Sequence, residues 1–345
     1  MLSIKHPEKV WPNATSGFWH CKPVETSEPS VLVELLVLNL FVIGLVGLLT
    51  GFGLSCWFER LSVLERNGLQ YPAVSASNRW LRGVALMFVT AALFGGLAWA
   101  ERAAGVLDTP EVQPSAFGRE WRLYFHLALL GLLIVATAID FDCYMIPDQI
   151  TLPGMLLGLL GAVAFADLQI CHLWVDWSVA IPQLRGPDIP AWYDAHKHWH
   201  ALAWSGAGLA TGAALTWLAR AVSSRVLGQE AMGFGDVTLM AMIGSFLGWQ
   251  AVVLVFLFAP LAGLTVGVLI KLVSGKTYLP YGPWLSIAAV FVLFRWGWLW
   301  ELTRVTFSDW LSLTVLAGIG GFGFVLLLGL VRLYRAIPVR AKDSR

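Results

Sequence analysis

The sequence predicts an all-α fold, a polytopic helical membrane protein with about eight to nine transmembrane helices. Of its 345 residues, 57% are hydrophobic and 13% are charged, and that charged fraction is about half of what soluble domains carry. The chain also contains 18 Trp residues, many of them next to apolar runs, as is typical of side chains at membrane interfaces. The formal net charge of +1 gives no indication of nucleic-acid binding.

The transmembrane helices are assigned to apolar runs with few or no charges, because a bilayer crossing takes about 20 mainly apolar residues. The long run over residues 237–270 is divided at Gly248, Trp249 and Gln250 into two short spans. The predicted spans are Leu35–Trp57, Gly83–Ala100, Leu123–Ile139, Ile150–Ala166, Trp199–Ala219, the two halves of 237–270, Leu279–Phe294 and Trp310–Val331.

Four regions are predicted along the chain. Residues 1–30 form a polar N-terminal tail, and residues 31–120 hold two spans joined by a short inner loop without a zinc motif. Residues 121–300 form a membrane domain with a long outer loop at 167–199, and residues 301–345 add an extra span and a basic tail. Lys and Arg favour the loops on one side, which predicts an outer N-terminus and a cytoplasmic C-terminus.

Acidic residues stand at the edges of two apolar runs. The segment "TAIDFDCYMIPDQITLPG" contains Asp140, Asp142 and Asp148, and "MGFGD" places Asp236 after two glycines. In the predicted topology the third span ends at Asp140 and the sixth begins at Asp236, both on the inner side. These two carboxylates, far apart in sequence, are therefore expected at similar depth, where charges usually face a bundle interior or a wet cavity.

The other two acids have structural interpretations as well. Asp142 fits an aqueous inner loop, and Asp148 follows Pro147 just before the fourth span. A carboxylate there can cap free backbone N–H groups and meet the positive end of the helix. The sequence between residues 122 and 185 contains no Lys or Arg, so no local cation is expected to neutralise these acids.

Two neighbouring carboxyl groups have more than one chemical use. Like charges resist ionising together, so one group can hold a proton while its ionised partner activates water. This division of roles supports aspartic hydrolysis of a peptide bond. The same pair could relay protons or bind a cation in a transporter, and the residues alone leave both alternatives open.

Three segments, taken together, resemble the type IV prepilin peptidases, which are bacterial membrane aspartic proteases of the GxGD class. They are "IDFDCYMIPDQITLP", "MGFGDVTLMAMIGSFLGWQ" and "GKTYLPYGPWLSIAAVFVLF", within a region from about Leu123 to Phe294. The resemblance implies a catalytic pair of Asp140 and Asp236 at the cytoplasmic face of the inner membrane. It also implies cleavage of a basic leader from type IV prepilin or type II secretion pseudopilin precursors, without a cofactor.

The interpretation as a peptidase also predicts a set of substrate-binding residues. Gly233 and Gly235 would let an extended scissile segment approach the catalytic pair. Asp142 and Asp148 would add to an acidic patch that favours the basic leader, and Gly282 belongs to a segment expected to line the substrate groove. The expected partners are the precursor and membrane lipid, with no nucleic acid and no metal.

Two departures from the family pattern bear on activity. The inner loop Phe58–Arg79 is short and has no Cys, whereas long family members often carry two CxxC pairs that hold zinc, so the N-methyltransferase activity of the family is in doubt. Thr238 stands two residues after Asp236, where the family commonly has Lys. The alternatives to a peptidase are a proton- or cation-coupled transporter and a non-catalytic pilus or secretion assembly factor.

The segment "YDAHKHWH" places His196, His198 and His200 at alternate positions. On a strand they would share a face and could hold a metal. Because no clear Cys or carboxylate partner accompanies them, they are expected to be surface histidines of the outer loop. Cys21 and Cys171 both fall on the outer side, so a disulfide between them is a further alternative.

Overall fold

The computed structural model describes residues 29–69, 76–177, 187–230, 232–274 and 280–336. These residues form helices and connecting loops, with one antiparallel bridge between Asp176 and Asp188, so the predicted all-α class is confirmed for them. The helices within these ranges are α1 (Pro29–Leu69), α2 (Ala76–Ala104), α3 (Ala116–Cys143), α4 (Asp148–Phe165), α5 (Trp192–Ala195), α6 (Lys197–Leu227), α7 (Phe234–Ser274), α8 (Gly282–Phe294), α9 (Trp296–Ser308) and α10 (Trp310–Ala336).

The predicted multi-pass membrane architecture is confirmed, while the number of spans is not. By length and composition, six helices in the described ranges can cross a membrane, namely α1, α2, α3, α4, α7 and α10. The number rises to seven if α8 and α9, which meet at a bend of 90°, form one span. The total of eight to nine spans therefore stays a prediction.

The bundle has two distinct ends. We call the end that holds Asp140 and Asp236 the carboxylate end, and α8 also begins there because the Gly282 N–H donates to Asp140 Oδ2 over 3.1 Å. The other end is called the opposite end. There α9 begins, and the Trp296 indole donates to the Ile170 carbonyl over 2.9 Å.

Helix α7 is broken at the position where the sequence predicts a division. Gly248 has φ +80° and ψ 171°, a backbone conformation that glycine adopts far more readily than other residues. A Cβ at this position would also lie 2.1 Å from the indole nitrogen of Trp204. Glycine is thus required at the break by its conformation and by the close approach of α6.

The break reverses the direction of α7. The helix starts at the carboxylate end with Asp236 and reaches the opposite end at Gln250, whose side-chain amide donates to the His172 carbonyl over 2.9 Å. It then returns, since Gly263 lies against Trp284 in the first turn of α8. The chain therefore arrives back at the carboxylate end before α8 begins.

Glycines allow several of these helices to pack backbone to backbone. A Cβ on Gly208 would lie 2.0 Å from the Gly244 carbonyl oxygen, and one on Gly212 would lie 2.2 Å from the Met240 carbonyl oxygen. Side chains larger than hydrogen would push α6 and α7 apart. By contrast α10 is almost wholly exposed, and its glycines have no heavy atom of another described segment within 4 Å.

Hydrogen bonds from tryptophan indoles connect the loop after α4 to the rest of the opposite end. The indoles of Trp177 and Trp300 donate to the Glu111 carboxylate over 2.8 and 3.0 Å. The Trp249 indole donates to the Leu173 carbonyl over 2.7 Å. The described part of the predicted outer loop is therefore a packed layer rather than an extended loop.

Candidate active site

Asp140 lies in the last turn of α3 and is almost completely buried, with 4% of its surface exposed. The helix ends three residues later at Cys143, and the next residue, Tyr144, adopts a left-handed conformation and donates its N–H to the Asp140 carbonyl over 2.9 Å. This cap fixes the end of the helix that carries the carboxylate. The side chain points toward α8, because its Oδ2 accepts the Gly282 N–H.

Asp236 lies in the first turn of α7 and is 7% exposed. Its Oδ2 accepts the Gly233 N–H over 3.2 Å, so the glycine loop before the helix folds back onto the carboxylate. A negative side chain is also favourable at this position because backbone N–H groups are free at a helix N-terminus. The sequence Gly-Phe-Gly-Asp thus supplies both the turn and the donor that hold the acid.

The fold brings Asp140 and Asp236 together, as the topology predicts. The two carboxyl groups are close enough to interact electrostatically. The buried Ile146 helps to set their spacing, because Gly235 lies against its Cβ and Gly282 against its Cδ1. A Cβ on Gly282 would lie 2.5 Å from Asp140 Oδ2, so this glycine is in direct contact with the pair.

The predicted substrate-binding residues differ in whether they contact Asp140 and Asp236. Gly233, Gly235 and Gly282 all touch the carboxylates or the isoleucine between them. Asp148 is exposed in the first turn of α4. It makes no side-chain cap there, because Pro147 is the N-cap residue and has no capping hydrogen bond.

Asp142 is paired with a cation that lies far from it in the sequence. Arg82 of α2 donates through Nη1 to both oxygens of Asp142, over 2.6 and 2.7 Å. The guanidinium comes from a different helix, 60 residues earlier, so the local sequence gives no sign of it. Packing of α2 beside α3 supplies the cation.

Residues 190–268 match the sequence model of the type IV leader peptidase family. The predicted resemblance to the type IV prepilin peptidases is confirmed. The matched residues form α5, α6 and most of α7, so they include Asp236 and its glycines and leave out Asp140 and Gly282. Asp140 lies outside the matched residues, and the fold places it next to Asp236.

Curated relatives carry the name prepilin leader peptidase/N-methyltransferase. One from Xanthomonas campestris pv. campestris is 28% identical over 52% of this chain and 53% of its own. One from Aeromonas hydrophila is 29% identical over 51% of each. One from Myxococcus xanthus is 33% identical over 46% of this chain and 38% of its own. The chain therefore spans about half the length of the curated relatives it matches, and no solved structure gives a significant match.

Thr238, at a position where prepilin peptidases commonly have Lys, forms a hydrogen bond within its own helix. Its hydroxyl donates to the Gly235 carbonyl over 3.0 Å. Because Gly235 and Thr238 both belong to α7, this bond lies within the first turn of the helix. The threonine thus supports the backbone next to Asp236 and adds no charge to it.

Tyr281 is a site residue that the sequence analysis missed. It precedes Gly282 and lies close enough to Asp236 for an electrostatic interaction. Its position beside the glycine in "YGPW" was the available signal, but nothing in the sequence alone shows that it reaches the second carboxylate.

The prediction of three surface histidines is wrong for His200, which is completely buried. These residues lie at the start of a helix rather than on a strand, and positions two apart on a helix point to different faces. His196 and His198 are exposed, whereas the His200 ring bonds Gln169 Oε1 through Nδ1 over 3.1 Å. Across the described ranges, no cluster of His, Cys, Asp or Glu side chains is arranged to hold a metal.

Only one of the two cysteines of the possible disulfide lies in the described residues. Cys21 lies outside the described residues. Cys171 is a buried free thiol at the opposite end, and its Sγ donates to Gln250 Oε1 over 3.3 Å.

Proposed function

We propose that this protein is an intramembrane aspartic endopeptidase that removes the basic leader from type IV prepilin or type II secretion pseudopilin precursors. The observation that carries the proposal is the pairing of Asp140 with Asp236 at one end of an apolar bundle. The match of residues 190–268 to the type IV leader peptidase family supports the choice of reaction. The names of the relatives support the choice of substrate.

In the proposed reaction, one ionised carboxylate removes a proton from a water molecule held between the two acids. The resulting hydroxide attacks the peptide carbonyl carbon while the protonated acid donates to the carbonyl oxygen. The tetrahedral intermediate then collapses and the C–N bond breaks. The departing amine takes the proton that the first carboxylate removed from water, and the other carboxyl group recovers its own proton from the intermediate. Each carboxylate accepts one backbone N–H through Oδ2, from Gly282 and Gly233 respectively, which fixes both groups for this work.

The substrate is proposed to enter at the carboxylate end with its basic leader in the cytoplasm. Asp148 is exposed in the first turn of α4, and its charge would favour a basic leader, whereas the charge of Asp142 is offset by Arg82. Gly233 leaves room for an extended backbone near Asp236, whereas Gly235 is packed against Ile146. This arrangement requires an outer N-terminus and a cytoplasmic C-terminus, in agreement with the positive-inside rule.

The nine-span topology is part of the same proposal. It counts α6 as a span and each half of α7 as another, which the reversal of α7 at Gly248 supports.

We propose the peptidase activity alone, without the N-methyltransferase activity that the names of the relatives also contain. The inner loop Phe58–Arg79 lacks the cysteines of the zinc-bearing loop found in long family members.

The proposal is tested by co-expressing this protein in bacterial membranes with an epitope-tagged type IV prepilin and following the leader by gel shift. The relative from Aeromonas hydrophila, run in parallel, checks that the precursor can be cleaved. Asp140→Asn and Asp236→Asn are each expected to abolish cleavage, whereas Asp188→Asn, an exposed acid at the opposite end, is expected to cleave as wild type does. Cleavage by both site variants would exclude the proposed pair. A wild type that leaves intact a precursor cut by the relative would exclude the peptidase.

A further inference from the structure

A cavity of about 560 Å³ opens on the side of the bundle between α2, α3 and α8. Its volume lies in the range of ~300–1,000 Å³ typical of ligand pockets. We call it the lateral groove and define it by Val89 of α2, Ile134, Thr137 and Phe141 of α3, and Ser286 and Ile287 of α8. Val89, Phe141 and Ile287 are 48%, 46% and 44% exposed, so the groove is open toward the surroundings of the bundle.

The lateral groove adjoins the candidate active site. Thr137 precedes Asp140 by three residues and Phe141 follows it directly on α3. On the other wall, Ser286 lies one turn after Gly282, whose N–H donates to Asp140. A chain that is cut at the carboxylates can therefore continue into the groove without turning away from the protein.

The groove contains two hydroxyl groups that lack a hydrogen-bond partner. The oxygen atoms of Thr137 and Ser286 are buried and unpaired in the described part of the chain, and Ser286 as a whole is 4% exposed. A buried polar group without a partner is unfavourable, so these two hydroxyls are suited to hydrogen-bond a ligand in the groove. A lipid acyl chain offers no hydrogen-bonding group, whereas an extended peptide offers an N–H and a carbonyl at every residue.

The length of the groove fits a short extended segment. Its α3 wall runs from Leu130 to Phe141, which at about 1.5 Å per residue is roughly 16 Å. An extended strand of about five residues, at roughly 3.3 Å each, covers the same distance. Apart from the hydroxyls of Thr137 and Ser286, the walls are apolar except where the Arg82 and Asp142 pair lies.

We propose that the lateral groove binds the first apolar residues after the cleavage point of the precursor, in extended form. The hydroxyls of Thr137 and Ser286 hydrogen-bond the backbone of that segment and hold the scissile peptide between Asp140 and Asp236. This inference rests on the proposed peptidase function. It adds a binding site for the substrate and two positioning residues.

The first test is photo-cross-linking to the tagged prepilin, with a photoreactive amino acid at Val89 or at Ile287. The control position is Leu160 of α4, which is 66% exposed and lies outside the groove. The Asp236→Asn background keeps the precursor intact, so binding is measured without cleavage. We expect adducts with the precursor from both groove positions and at least about tenfold less from Leu160.

The outcomes separate the two proposals. Equal adducts at Val89 and Leu160, or adducts with lipid alone, would overturn the groove as the peptide site. Cleavage by the wild-type protein without groove adducts would overturn the groove and leave the peptidase in place. Groove adducts with a precursor that the wild type never cuts would support the groove and overturn the peptidase.

The second test removes the hydroxyls with Thr137→Val and Ser286→Ala. Each loss is expected to lower the cleavage rate by about 2- to 12-fold, the effect of one net hydrogen bond. The melting temperature is expected to stay equal or rise, because an unpaired buried hydroxyl is removed. A purely structural role would lower the melting temperature instead.

Thr265→Val is the matched control, since that hydroxyl is exposed and already bonds the Leu261 carbonyl of its own helix over 2.9 Å. Its cleavage rate is expected to equal that of wild type. Wild-type rates in both groove variants would overturn the role assigned to the hydroxyls.

Discussion

The close contact of α6 with α7 can be tested by adding one methyl group at Gly212. A Cβ there would lie 2.2 Å from the Met240 carbonyl oxygen, whereas Cβ atoms essentially never come nearer than 3.0 Å. Gly212→Ala therefore requires the two backbones to separate by at least about 0.8 Å. Overpacking of this kind costs about 1–3 kcal/mol, and the better helix propensity of Ala returns at most about 1 kcal/mol.

The displacement also reaches the candidate site. Met240 lies one turn after Asp236 on α7, so a shift of the helix at Met240 moves the carboxylate relative to Asp140. A misplacement of about 1 Å can lower a catalysed rate on the order of 100-fold. We therefore expect Gly212→Ala to lower the melting temperature in detergent and to lower prepilin cleavage by roughly that factor.

Gly206→Ala provides the matched control, because in the described ranges no heavy atom outside its own helix lies within 4 Å of a Cβ at that position. This variant is expected to cleave as wild type does and to melt at the same or a higher temperature. Tryptophan fluorescence measures the melting, and initial rates of leader removal measure the activity. Identical melting and cleavage for Gly212→Ala and Gly206→Ala would refute the packing of α6 on α7. A lower melting temperature with unchanged cleavage would refute the connection to Asp236.

Two further changes test other parts of the fold. Gly248→Ala introduces a side chain at φ +80°, so it is expected to lower the melting temperature, whereas Gly95→Ala, with open space around it, should leave the value unchanged in the same assay. Burial lowers the pKa of His172 below its ordinary value of 6.5, and the carboxylates of Glu111 and Asp194 offset this only in part. The folded state therefore favours the neutral ring, so the stability from His172 is complete above pH 6.5 and is lost as the pH falls. A melting temperature that drops less between pH 7.5 and about 5 in His172→Gln than in wild type would agree with this, and parallel profiles would contradict it.

The meeting of Asp140 with Asp236 could be predicted from the sequence because membrane topology restricts the alternatives. Apolar runs must cross the bilayer, so the number of crossings between two residues decides whether they share a side. The division near Gly248 was predictable for the same reason, since a run of that length exceeds one span. These features depend on hydrophobic length and not on side-chain contacts.

Features that depend on contacts between helices could not be predicted from the sequence. The Arg82 pairing with Asp142 depends on the rotation of α2 relative to α3, which hydropathy does not define. The burial of His200 depends on the loop before α6 folding over the helix N-terminus, and the outer segment looked like a solvent-exposed loop. Tyr281 lies beside a predicted residue, but its approach to Asp236 follows from the return of α7.

The break at Gly248 connects the two halves of the candidate site. The first half of α7 carries Asp236, and the second half brings the chain back so that α8 starts beside Asp140 with the N–H of Gly282. Without the reversal, the residues after Gly248 would continue away from the carboxylate end and Gly282 could not reach Asp140. The residues that match the leader peptidase family include this break. A change at Gly248, although distant from both carboxylates, should therefore disturb the partner of Asp140 as well as the stability of the bundle.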